Sequence, residues 1–170
     1  MNIRRGKKED IPAILQVVEE ARRSMADLGI DQWQDGYPDE AAFRQDIRDG
    51  VCYVGELEGM VCAVMALCFT PEPCYAEIKG RWLEEPECYG VIHRMATSDL
   101  CRGKGAAAQM LDFAEQTCLK HEVTDLRVDT HRGNLPMQKF LKKHGFLLCG
   151  QVLYEVKQGD PIRLGYEKLL

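Results

Sequence analysis

Residues 89–120 read YGVIHRMATSDLCRGKGAAAQMLDFAEQTCLK, and the rest of the chain can be placed around them. Tyr89–Ala96 is apolar and aromatic enough for a buried strand. A polar connection, Thr97 to Cys101, leads into Arg102-Gly103-Lys104-Gly105-Ala106-Ala107. Met110, Leu111, Phe113, Ala114 and Cys118 then recur at three- and four-residue steps, which marks one face of a helix. A strand therefore feeds a glycine-rich turn that opens a helix.

The first turn of a helix leaves its backbone N–H groups without partners, and the aligned peptide dipoles make that end positive. Glycines let the backbone come close to a ligand, so such a turn is a cradle for phosphate. Arg102 and Lys104 add two cations, one a planar fork and one a point charge. A diphosphate-bearing cofactor suits this arrangement. The plainer alternative is a short turn that needs two glycines for its geometry alone.

Two known phosphate motifs compare poorly. Gly103-x-Gly105-x-x-Ala108 has the letters of a dinucleotide fingerprint, with Asp125 and Asp129 downstream. Its strand-to-glycine connection is too long and polar, however, and too few strand–helix pairs follow for a doubly wound sheet. A Walker loop is excluded because no Lys-Ser or Lys-Thr pair follows the second glycine.

Arg102-x-x-Gly105-x-Ala107 resembles the Arg/Gln-x-x-Gly-x-Gly/Ala signature of the GNAT superfamily of acyl-CoA-dependent N-acyltransferases. Asn134, followed by a helix and then Gly145-Phe146, is similar to that family's second signature. The resemblance implies an α+β, GNAT-like fold with a mixed central sheet of six to seven strands flanked by about four helices. Its central strands splay, and the cofactor arm lies in the gap. It implies acetyl-CoA as cosubstrate, its pyrophosphate on Arg102, Gly103, Lys104, Gly105, Ala106 and Ala107, and its pantetheine arm against Asn134. Backbone at Met95, Ala96 and Thr97 would face the thioester.

The implied activity is N-acetyl transfer to a primary amine by direct attack in a ternary complex. The acceptor class stays open between a small molecule, a peptide N-terminus and a lysine. A non-catalytic acyl-CoA-binding or sensor domain of the same fold is the alternative. One departure matters. Many family members carry a Tyr seven residues after the Asn as general acid, and here that position is Leu141. Either the thiolate leaves without that acid, or Tyr154 or Tyr166 substitutes, Tyr154 being the catalytic candidate, or this branch does other work. His93, on the central strand, is the candidate base because its unperturbed pKa lies near neutrality. A buried, hydrogen-bonded histidine is the competing reading.

Elsewhere the sequence reads as a single domain over residues 1–170. Asn2–Arg5 is a short strand. Asp10 is a cap for a helix with Pro12 in its first turn, closed by Gly29. The loop Ile30–Pro38 is rich in aromatics; Trp33 and Tyr37 either pack the loop itself or, as the resemblance implies, wall a substrate pocket. Asp39–Gly50 is a second helix. Val51–Leu57 and Met60–Phe69 pair as a hairpin through Glu58-Gly59. Thr70–Cys88 is irregular, with a short strand expected near Tyr75–Ile78. Leu126–Thr130 is a strand carrying Asp129, and Asp129 and His131 are expected to face the cleft together, as second choices for the base or as residues that bind a cationic substrate. Pro136 starts a helix that Gly145 ends, and Phe146–Tyr154 and Ile162–Leu169 close the sheet.

A net charge of −5 argues against nucleic acid or an anionic membrane as the main partner. No apolar run reaches the roughly 18 residues of a membrane span. Eight cysteines without a C-x-x-C pair, and four histidines without ligand spacing, predict reduced thiols, no metal and a cytoplasmic protein. The sequence leaves monomer and homodimer both open.

Overall fold

The computed structural model describes residues 1–156 and 159–170. In chain order its elements are β1 (Asn2–Arg5), α1 (Ile11–Asp27), α2 (Glu40–Arg48), β2 (Cys52–Leu57), β3 (Met60–Cys68), β4 (Lys79–Gly80) and β5 (Gly90–Thr97). There follow α3 (Ala106–Lys120), β6 (Asp125–His131), α4 (Leu135–Lys143), β7 (Leu147–Leu153) and β8 (Ile162–Leu169). The strands form one mixed sheet in the order β1-β2-β3-β5-β6-β8-β7-β4, in which only β5 and β6 run parallel. Among the described residues the sheet has eight strands, slightly more than the six to seven expected.

Residue alternation sorts the core into two layers. Cys52, Val54, Val64 and Ala96 point to the face where α1 and α2 bring Ile14, Val17, Val18 and Phe43. Their neighbours Tyr53, Ala63, Met65, Leu67 and Ile92 point to the other face, against Met110, Leu111, Ala114 and Cys118 of α3. Covered on both faces, β3 needs an unbroken apolar run (Met60-Val-Cys-Ala-Val-Met-Ala-Leu-Cys68), and has one. The hairpin turn between β2 and β3 places Glu58 and Gly59 at φ of 53° and 80°, as a primed turn requires.

Two local expectations fail. No strand forms at Tyr75–Ile78. Pro73–Glu77 is a 3-10 turn instead, and the two-residue β4 follows it, pairing with Gln151 and Gly150 of β7. Contact there is close enough that a Cβ on Gly80 would lie 2.2 Å from the Cys149 carbonyl oxygen. Asp10 does not cap α1 either. It already has helical dihedrals, because a 3-10 turn at Lys8–Asp10 precedes the helix. Its carboxylate accepts from the Lys7 N–H at 2.7 Å and pairs with Arg4 at 2.7 Å.

What positions the site is the parting of β5 and β6. Their ladder consists of Gly90–Ile92 against Leu126–Val128. Beyond Ile92, β5 continues to Thr97 with β3 as its only strand partner, so the sheet opens into a V between its two parallel strands.

Candidate active site

A cleft of about 1220 Å³ occupies this V. One end is the glycine loop. Gly103 and Gly105 sit at φ of 74° and 70°, the left-handed region, and no atom lies within 4 Å of a Cβ added to either. Backbone conformation rather than crowding therefore demands glycine here. The loop packs on β3 through Cys62, Cys101 and Ala106. It is tied to α1 by Glu20, whose carboxylate accepts from the Ser98 hydroxyl at 2.7 Å and the Asp99 N–H at 2.9 Å.

Among the described residues, the N–H groups of Gly103, Gly105, Ala106, Ala107 and Ala108 have no partner from within the chain. They converge on the positive end of α3, which is the donor set a diphosphate needs. Arg102 stands beside them, exposed and paired with Asp99. Lys104, expected to share this task, does not line the cleft. Its N–H closes the turn onto the Cys101 carbonyl, and that turn carries its side chain into solvent. Asn134 lines the cleft but is also the N-cap of α4, its Oδ1 accepting from the Met137 N–H at 3.1 Å. Its amide NH2 has no acceptor among the described residues and can donate to a ligand.

The exposed edge of β5 forms the middle. The Ser98 N–H bonds the Cys62 carbonyl at 2.8 Å, so strand alternation turns the N–H groups of Met95 and Thr97 the other way, into the gap. Met95, Ala96 and Thr97 all line the cleft.

At the far end, Asp129 Oδ2 accepts from the hydroxyls of both Tyr75 and Tyr154, each at 2.8 Å. Oδ1 carries no hydrogen bond from the described residues, and Asp129 lines the cleft. Burial pushes this carboxyl above its ordinary pKa, the two tyrosine donors only partly opposing it. The hydroxyls of Tyr75 and Tyr154 are driven upward by burial and by the same carboxylate. Tyr154 is thus a weaker acid than free tyrosine, with its proton engaged. His93 faces Glu72 Oε2 at 3.4 Å, and burial lowers its pKa to about 4.

Trp33 and Tyr37 line the cleft, on the loop that Arg22 holds by its Trp33 carbonyl at 2.8 Å. His131 departs from expectation. The turn at Arg132-Gly133 ties its Nδ1 to the Gly133 N–H at 2.9 Å, and Nε2 faces Asp31 Oδ1 at 3.0 Å; Asp31 lines the cleft and His131 does not. Tyr166 is also absent from the lining, fully buried in the core. Leu141 is buried beside it, so that helix position contributes packing rather than an acid. Sequence reasoning missed Arg94, which lines the cleft and pairs with Asp46 at 2.7 Å; its charge inside an apolar strand was the available signal. No His, Cys, Asp or Glu group of metal-binding size occurs among the described residues.

The family model described as "Acetyltransferase (GNAT) family" matches residues 14–146. A GNAT-family acetyltransferase from Streptococcus agalactiae is 36% identical, aligned over 99% of this chain and 95% of its own, with a TM-score of 0.88. PaiA N-acetyltransferase from Thermoplasma acidophilum, solved in complex with coenzyme A, aligns over 99% and 98% with a TM-score of 0.74. Its 16% identity carries the fold alone. Streptothricin acetyltransferase of Escherichia coli is 32% identical over 66 residues, which is 39% of this chain and only 38% of that enzyme's length.

Proposed function

This chain belongs to the GNAT family of acetyltransferases, and we propose that it transfers an acetyl group from acetyl-CoA to a primary amine held in the same cleft. The observation that carries this reading is the set of N–H groups of Gly103 and of Gly105 to Ala108, unpartnered among the described residues, at the mouth of a cleft formed by parted strands. Residues 1–170 act in this reading as one domain. The pyrophosphate sits on the glycine loop with Arg102 alongside, and the pantetheine arm runs past Asn134 along β5. The thioester oxygen meets a Met95 or Thr97 N–H, which polarises the carbonyl and holds the oxyanion of the tetrahedral intermediate.

The acceptor enters under Trp33 and Tyr37, and Asp129 Oδ1 holds its nitrogen. Attack of the neutral amine forms the C–N bond, after which the nitrogen is strongly acidic and passes its proton to the Asp129 carboxylate. The C–S bond then breaks. A thiol of pKa near 8.5 is a competent leaving group at neutral pH, so its thiolate departs and takes a proton from solvent. Holding both substrates in one cleft supplies much of the rate. Tyr154 and Tyr75 orient Asp129 in this scheme, and His93, neutral at pH 7, offers a hydrogen bond rather than resting charge.

The test is incubation with acetyl-CoA and a panel of amines, scoring the acetylated product by mass. Direct product detection avoids thiol reagents, which would react with the protein's own free cysteines. Acetylated amine formed at a rate above the protein-free control is the expected result. Binding of acetyl-CoA with no product from any amine would favour the sensor alternative.

A further inference from the structure

Four described non-glycine residues adopt positive φ: Trp33, Glu58, Glu122 and Arg94. Arg94, at φ 52°, is the one inside a strand. It sits on a β-bulge, where Ala66 pairs with His93 but Val64 pairs with Ala96, so Arg94 and Met95 together oppose Met65. The bulge lies immediately past Ile92, where β5 leaves β6. Glycine is the residue such a left-handed bulge position ordinarily takes. Something about the arginine side chain must therefore outweigh the strain.

Its guanidinium has three engagements. Nε and Nη2 grip the two oxygens of Asp46 at 2.8 and 2.7 Å, in the parallel fork that only arginine forms. Nη1 donates to the Tyr37 hydroxyl at 2.6 Å. Asp46 belongs to α2 and is 6% exposed, outside the cleft lining, so it cannot touch a ligand there. Burial lifts its pKa, with the Arg94 charge opposing the shift. A carboxylate buried at one helix, a strained bulge and the acceptor-side loop are joined at a single side chain.

We infer that Arg94 is a positioning residue: anchored by Asp46, it fixes the bulge that aims the β5 N–H groups at the thioester oxygen, and through Tyr37 it ties the acceptor loop to that geometry. This rests on the acetyl-CoA reading above. It assigns Arg94 no contact with the reacting atoms. Its effect is on the direction of the Met95 and Thr97 N–H groups, one and three residues further along.

The decisive variant is Arg94→Gly with Asp46→Asn. Glycine suits the bulge and the amide leaves no orphaned charge, so the backbone strain is relieved while the clamp is removed. Two cofactor probes are compared: acetyl-CoA, and the S-ethyl thioether of coenzyme A, which lacks the carbonyl. In the double variant the preference for acetyl-CoA over the thioether should fall roughly 3- to 10-fold, the worth of one hydrogen bond. Affinity for the thioether itself should stay within about twofold, as expected of a separate phosphate site. The infrared stretch of the bound thioester carbonyl should move toward its value in free acetyl-CoA.

An unchanged preference and stretch would overturn the inference. So would equal loss of affinity for both probes together with a lowered Tm, which would make Arg94 a purely structural residue. Should the double variant not fold, Asp46→Asn alone decides, since it breaks one arm of the fork without changing shape. A smaller shift in the same direction supports the role, and none refutes it. Failure of the wild-type protein to bind either probe would instead overturn the proposed function, and is visible before any variant is made.

Discussion

Ala107→Glu separates ligand binding from folding, because the two should respond in opposite senses. Ala107 stands in the first turn of α3, half-buried and lining the cleft, among the unpartnered N–H groups. A carboxylate there meets the positive end of the helix, which is worth about 0.3–1 kcal/mol in favour of the folded protein. The slightly lower helix propensity of Glu offsets part of that, so Tm should stay within about 2 °C of wild type. A separation of about 6 Å between that carboxylate and a bound diphosphate charge is the working value for Coulomb's law. Each charge pair at that distance costs roughly 0.7 kcal/mol at water's dielectric constant and about 2.8 kcal/mol at an effective value of 20. Two phosphate charges therefore cost between about 1.4 and 5.6 kcal/mol, and at an exposed loop the lower part of that range applies, which is at least about tenfold in Kd. Titration calorimetry with coenzyme A at low salt and at 1 M salt reads this directly. The penalty should shrink at high salt, where the Debye length falls to about 3 Å. An unchanged Kd with an unchanged Tm would refute the placement of the diphosphate on this turn.

Asp129→Asn removes a charge that burial penalises, so stability should hold or rise while amine turnover falls at least tenfold, as for loss of a general base. In the wild type, activity should fall as pH drops through the raised pKa of this carboxyl, above the ordinary value near 4, and the Asn variant should lack that limb. Gly80→Ala would drive its Cβ to 2.2 Å from the Cys149 carbonyl oxygen and should cost about 2–4 kcal/mol in chemical denaturation, through loss of β4. A last prediction concerns the buried cluster in which Arg127 pairs with Asp125 at 2.9 Å and Glu167 at 3.1 Å. Two carboxylates share one guanidinium, and burial, followed by the hydrogen bond that the protonated Asp125 donates to Glu167, raises Asp125 to a pKa of about 7, with Arg127 opposing. The raised group stabilises the folded state fully below its unfolded pKa, and that contribution disappears as pH climbs through about 7. His93 and His131, both lowered, act in the opposite sense over the same range. The comparison is therefore with Asp125→Asn: between pH 5 and pH 8 the wild type should lose stability relative to that variant, by urea denaturation. A constant difference would contradict it.

The fold was legible in the sequence where local chemistry dictates it. Gly103 and Gly105 occupy backbone angles that other residues avoid, so the strand–turn–helix unit announces itself. The unbroken apolar run of β3 and the Glu58-Gly59 turn are equally local. What escaped depends on partners distant in sequence. Arg94 is explained by Asp46, 48 residues away, and Tyr37, 57 residues away. Asp129 and His131 have the same strand parity, yet only Asp129 lines the cleft: the Arg132-Gly133 turn ties up His131 Nδ1, and Asp31, itself on the cleft wall, stands across its Nε2. Asp10 was misread because the letters before it fold into a turn of their own, which moves the cap upstream to Lys7.

A crystal of the protein grown with acetyl-CoA tests the central claim most directly. Diphosphate oxygens should lie within about 2.7–3.2 Å of backbone nitrogens between Gly103 and Ala108, with the acetyl group in the gap between β5 and β6. Density for the cofactor elsewhere, with those nitrogens bonded to water alone, would contradict the account.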